Sequence, residues 1–115
     1  MVVSQGDVVW ASLPAPAGSE AGYRRPVVVV QGDSFNASRL RTAVVVPLTS
    51  NVRWAGAPGS ALLEAAKTGL PRDSVANAFH VLAIDRSFLD ERVGHLRETD
   101  LQLVLSAIDL VLGRE

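Results

Sequence analysis

Pro26-Val27-Val28-Val29-Val30-Gln31 is the stretch that decides the fold. A run of consecutive β-branched residues, entered through a proline and stopped by Gly32-Asp33-Ser34, reads as a strand over 27–31. Because the run does not alternate with polar residues, both faces of that strand are expected to be buried. Upstream, residues 6–13 form a first strand, with Val8, Trp10 and Ser12 alternating with Val9, Ala11 and Leu13 until Pro14 closes it. Residues 14–25 then read as a loop. Downstream, after a polar stretch with Asn36, Arg39 and Arg41, Thr42 to Leu48 repeat the β-branched pattern and end in Pro47-Leu48-Thr49-Ser50-Asn51. Weaker strand patterns cover 60–64, 74–81 and 81–85, with a turn at Leu70-Pro71-Arg72-Asp73.

The C-terminal segment changes period. Leu101, Val104, Leu105, Ile108, Val111 and Leu112 recur at three- and four-residue steps, which predicts an amphipathic helix. Thr99 fits its N-cap with Gln102 three positions on, Asp100 suits the first turn, and Gly113 falls where it should end. The 115 residues read as one domain, 1–115. Its class is mostly β (α+β): a small antiparallel sheet curled into a barrel to protect its edges, with one closing helix.

Composition narrows the function classes. With 48% hydrophobic and 20% charged residues the chain is ordinarily globular, and without cysteine it has no disulfide, zinc thiolate site or cysteine nucleophile. No apolar run reaches the length of a membrane span and the N-terminus lacks a signal-peptide pattern, so a cytoplasmic location is expected. The net charge of −1 excludes a generic basic coat for nucleic acid, but the charge is uneven. Residues 1–55 hold Arg24, Arg25, Arg39, Arg41 and Arg53 against Asp7, Glu20 and Asp33, for +2, and the remainder carries −3. Arginines suit bidentate phosphate contacts.

Chemistry concentrates in Gly18-Ser19-Glu20-Ala21-Gly22-Tyr23-Arg24-Arg25-Pro26, which carries more charge than a turn requires. A pair of arginines can bind a phosphate through several donors, and a nearby glutamate can orient one of them or move a proton. Equally, Arg25 and Glu20 could form a surface ion pair, and Thr49-Ser50 could cap a turn after Pro47. Asp7 and Trp10 read as structural, the one a strand-start turn and the other a core or interface aromatic.

The order Gly6-Asp7-Val8-Val9-Trp10, Gly18-Ser19-Glu20 with Arg25-Pro26-Val27-Val28-Val29, and Pro47-Leu48-Thr49-Ser50 resembles the MazF/PemK-type toxins. Gly69-Leu70-Pro71-Arg72-Asp73-Ser74-Val75, Ile84-Asp85 and Gly94-His95-Leu96 extend the resemblance over nearly the whole chain. It implies an SH3-like barrel and a homodimer whose interface groove takes single-stranded RNA. The implied activity is ribosome-independent, sequence-specific RNA cleavage without metal or other cofactor, held in check by a MazE-like antitoxin. The implied products carry a 2′,3′-cyclic phosphate and a 5′-hydroxyl. Arg25, Thr49 and Glu20 fall on the family's catalytic positions, and Ser19 accompanies Glu20 in its first loop.

The residues suit that chemistry, because 2′-oxygen attack needs proton removal, charge stabilisation on the phosphorane and a proton for the leaving 5′-oxygen. Arg24 would add a guanidinium beside the phosphate. Ser50, Asn51, Arg53, Trp54, Asn36 and Arg39 are candidate RNA contacts, Trp54 by stacking a splayed base. His80 stands where the family commonly has glutamine and either binds a base or packs on the barrel. Pairing His80 with His95 would make a rival two-histidine ribonuclease site. Two other classes share the pattern: a CcdB-like gyrase poison without nuclease activity and a non-catalytic RNA-binding module.

Overall fold

The computed structural model describes residues 1–18 and 22–114. Among them lie strands β1 (Asp7–Leu13), β2 (Tyr23–Val29), β3 (Thr42–Thr49), β4 (Ser60–Leu63), β5 (Ser74–Asn77), β6 (Leu82–Asp85) and β7 (Leu89–His95). Two single-turn helices, α1 (Asp33–Asn36) and α2 (Ala65–Thr68), interrupt them, and α3 (Glu98–Val111) follows. All pairings are antiparallel, in the order β4-β5-β3-β2-β1-β7, with β6 beside β3. Among the described residues, no helix is long and apolar enough to cross a membrane.

β2 is buried on both faces, as its composition predicts. Val28 and Val30 point into one core with Val8, Val46, Leu48 and Leu63, which Leu101 and Val104 of α3 cover. Val27 and Val29 point into a second core with Val9, Ala11, Val45 and Ile84. The central strand of a curled sheet meets apolar layers on either side, so alternation would have left one layer unfilled.

Several boundaries move. β2 begins at Tyr23 instead of residue 27, because pairing with β1 recruits the arginines: Arg24 stands opposite Ser12 and Arg25 opposite Ala11. Arginine favours no strand intrinsically, so only the partner strand reveals this extension. β7 was not expected. Its sequence, Leu-Asp-Glu-Arg-Val-Gly-His, is charge-rich because it ends the strand path, where exposed charges discourage pairing with other chains. The 74–81 segment breaks after Asn77 into a 3-10 turn at Ala78–His80. Helix α3 starts one residue after Arg97, so Thr99 is inside the first turn and caps nothing; Gln102 bonds Glu98 Oε1 at 2.9 Å instead. Gly113 ends the helix as expected, at φ 71°.

Asp33 ties the N-terminal segment to α1. Its Oδ1 accepts the Gln5 N–H at 2.7 Å and the Asn36 amide at 3.1 Å, and these bonds, the Gln5 one foremost, hold its pKa below 3.8. A carboxylate with a depressed folded-state pKa contributes stability that is complete above the unfolded value and is lost as pH falls through the folded one. Asp33→Asn should therefore flatten the decline in stability below about pH 4. Denaturant midpoints measured across that acid limb check this.

Candidate functional site

Two prolines open a groove in the sheet. The β2–β3 ladder runs through Val29↔Val45, Val28↔Val46 and Val27↔Pro47 and stops there, since Pro26 has no N–H to continue it. Beyond this point lies a groove of about 470 Å³ lined by Trp10 of β1, Arg24, Arg25 and Pro26 of β2, and Leu48, Thr49 and Ser50 at the end of β3. Leu70, Pro71, Arg72 and Ser74 complete it. Two residues past the last pair on each strand, Arg25 and Thr49 line the same groove. The structure thus brings Arg24, Arg25, Thr49 and Ser50 into one cavity from segments far apart in sequence.

Their surroundings differ. Arg24 is held by Asp90 of β7, Nε to Oδ2 at 3.3 Å and Nη2 to Oδ1 at 3.1 Å, and lies 4.5 Å over the Trp10 ring. Both partners are about half exposed, at 51% and 45%, so the pair contributes at most about 1 kcal/mol and can be exchanged for another anion. Arg25 is half-buried and donates only Nε, to the Gly22 carbonyl at 3.0 Å, among the described residues. That bond leaves its terminal nitrogens to the groove. Thr49 Oγ1 accepts the Asn51 N–H at 3.2 Å, the turn-capping contact that the sequence also allowed. A hydroxyl that accepts in this way keeps its own proton to donate. The site can therefore present a fixed guanidinium and an oriented O–H to one anion. Tyr23, just before the arginines, has φ 61°, a left-handed conformation costing about 1–2 kcal/mol in a non-glycine residue.

The remaining expectations divide. Ser19 and Glu20 lie outside the described residues. Asn51, Arg53 and Trp54 are exposed and do not line the groove, and Arg53 sits 5.1 Å over Trp54. Arg39 lines a separate depression with Arg41, Asp85 and Arg86. Asn36 is no surface contact. It is buried, donates to the Gln31 carbonyl at 2.8 Å and accepts from Gln31 Nε2 at 3.0 Å, because the chain turning out of β2 needs its backbone groups satisfied. His80 ends the 3-10 turn packed near α3, whereas His95 Nδ1 is 2.8 Å from Oδ1 of Asp7. No bond or shared cavity joins the two rings among the described residues, which leaves the two-histidine site without support. Asp7 itself is buried, also accepting from Ser4 N and Arg92, and pins β1 to β7 as a structural residue. Sequence reasoning missed Arg72 and Asp90. Arg72 had been read only as part of a turn, and Asp90 belongs to the unexpected strand.

Comparisons with known proteins identify relatives of this chain. The family described as "PemK-like, MazF-like toxin of type II toxin-antitoxin system" matches residues 4–112. Endoribonuclease MazF6 of Mycobacterium tuberculosis is 44% identical over 96 residues, covering 84% of each chain. Endoribonuclease EndoA of Bacillus subtilis is 34% identical over 113 residues, covering 98% of this chain and 97% of the relative. Among solved structures, MazF from Deinococcus radiodurans superimposes with a TM-score of 0.81 at 27% identity over 98% of both chains. The MazE–MazF complex from the same organism matches with a TM-score of 0.77 at 26% identity, covering 100% of this chain and 99% of the other.

Proposed function

The chain belongs to the PemK-like, MazF-like toxin family, and on that premise we propose how its groove cuts RNA. The protein is an endoribonuclease toxin, like the curated relatives that carry that name. The observation that carries the mechanism is the groove that Arg25 and Thr49 line together. A single RNA strand lies there with its scissile phosphate against Arg25. The 2′-oxygen loses its proton and bonds phosphorus, the bond from phosphorus to the 5′-oxygen breaks, and that oxygen takes a proton. The products are a 2′,3′-cyclic phosphate and a 5′-hydroxyl, and no metal is required.

Arg25 stabilises the charge that gathers on the non-bridging oxygens, where a fixed donor acts most strongly. The Thr49 hydroxyl donates to the same oxygens. Glu20 orients Arg25 or accepts the 2′ proton, and Ser19, Arg24 and Ser50 contact the strand near the scissile phosphate. Asn51, Arg53 and Trp54 contact the strand outside the groove. Arginine is a poor base because its pKa exceeds about 12, so its part is electrostatic. The protein works as a homodimer in the cytoplasm and is neutralised by a MazE-like antitoxin. Support for the last comes from the MazE–MazF complex of the Deinococcus relative and from a mycobacterial endoribonuclease solved with its cognate antitoxin.

The test is incubation of purified protein with a long, weakly structured RNA in excess chelator, followed by end-group analysis. Fragments ending in cyclic phosphate are expected. Intact RNA would overturn the nuclease reading, and fragments ending in a 3′-hydroxyl would overturn attack by the 2′-oxygen.

A further inference from the structure

Arg72 lines the groove and has no part in the chemistry above. It sits on a turn braced at several points. The Leu70 N–H donates to Thr68 Oγ1 at 3.1 Å, and Asp73 Oδ1 accepts the Ala65 N–H at 2.8 Å. Gly69 lies against the Val93 carbonyl of β7, and Ser74 leads into β5, which pairs with Leu48 and Thr49. The turn is thus fixed on one side to β7 and on the other to β5. Its guanidinium, by contrast, is exposed and has no hydrogen-bond or ion-pair partner among the described residues.

An unpaired arginine on a rigid turn is unusual in a groove where Arg24 already has a carboxylate. The same groove offers apolar lining, from Pro71, Leu70, Pro26 and Trp10. A groove that offers guanidinium groups and apolar surface together suits a single RNA strand, because bases stack on apolar and aromatic faces while arginine takes phosphate bidentately.

We propose that Arg72 binds a second RNA phosphate, away from the scissile one, and so sets which linkage reaches Arg25. This rests on the endoribonuclease reading. Arg72 touches substrate without touching the reacting bonds, so its loss falls on binding and leaves the chemical step alone.

The experiment measures binding of the protein to a 2′-O-methyl single-stranded RNA, which has no free 2′-oxygen and cannot be cut, over a range of salt concentrations. Each phosphate contact to a single strand contributes about 0.7 to the slope of log affinity against log salt. Arg72→Ala should lower that slope by about 0.7 and weaken binding about tenfold, as loss of one charge-assisted contact does. Arg72→Lys should keep the slope. Arg114→Ala, which removes a cation paired with Asp109 beyond α3, should leave it unchanged. On unmodified RNA the half-saturating concentration of Arg72→Ala should rise about tenfold with kcat within about twofold of wild type. A wild-type slope in Arg72→Ala, or an equal fall in Arg114→Ala, overturns the proposal. Failure of the wild-type protein to cut unmodified RNA overturns the nuclease reading instead and is scored separately.

Discussion

Arg25→Ala is expected to reduce the single-turnover rate of RNA cleavage by about a hundred- to a thousandfold, a larger loss than the roughly tenfold weakening of binding to uncleavable RNA that removal of one phosphate contact brings. The magnitude is that of removing one preorganised donor from a developing oxyanion. The asymmetry between rate and affinity follows from the groove. Arg24, Arg72 and the apolar lining would continue to hold the strand, while the terminal nitrogens of Arg25 would act more strongly on the charge added in the transition state than on the single charge of the ground-state phosphodiester. Arg25→Lys should recover little, since a point charge cannot hold Gly22 through Nε and present a planar fork at once. Thr49→Ala should cost less, because a neutral hydroxyl is a weaker donor than a guanidinium. The double variant should fall short of the product of the single losses if the two act on one oxygen. Cleavage kinetics at saturating enzyme check all four. A rate for Arg25→Ala within about threefold of wild type would remove Arg25 from the mechanism.

Gly94→Ala is expected to destabilise the protein by about 3 kcal/mol or more. A methyl group there would meet the Thr68 carbonyl, and one on Gly69 would meet the Val93 carbonyl, so the backbones of α2 and β7 touch at two glycines. Gly69 also has φ 82°, where any side chain is strained. The obstacles are backbone atoms, which cannot rotate away as a side chain can. Relief therefore requires the turn at 69–73 to lift from β7, and Arg72 moves with it. Chemical denaturation should show the loss of stability, and RNA binding should weaken in the same variant. A Gly94→Ala protein of wild-type stability would mean that the two segments part easily.

Sequence and structure agree where the local signal is strong. The Val27–Val30 run announced a strand with two buried faces, and the 3.6-residue stripe from Leu101 to Leu112 announced α3, because in both cases the burial pattern is written in residue type. Agreement fails where partners decide. Tyr23, Arg24 and Arg25 have no strand signal of their own and become strand by lying beside Leu13, Ser12 and Ala11. β7 carries the charges of an edge and so looks like a loop. The site was half legible. Arg25 and Thr49 could be named, but their meeting depends on the register Val27↔Pro47, which no local pattern encodes. Asn36 misled because a buried, satisfied amide and an exposed one have the same letter.

β3 changes neighbours along its length: β6 takes Thr42 to Val45, β2 takes Val45 to Pro47, and β5 takes Leu48 and Thr49. Thr49 is thus carried by the β4–β5 hairpin, while Arg25 is carried by the β1–β2 hairpin. The alignment of the two is a tolerance between separately supported parts, and a displacement of about 1 Å between reacting groups can cost a hundredfold in rate. A binder that tilts one hairpin against the other would silence the enzyme by misalignment, with every catalytic atom present and the groove still open.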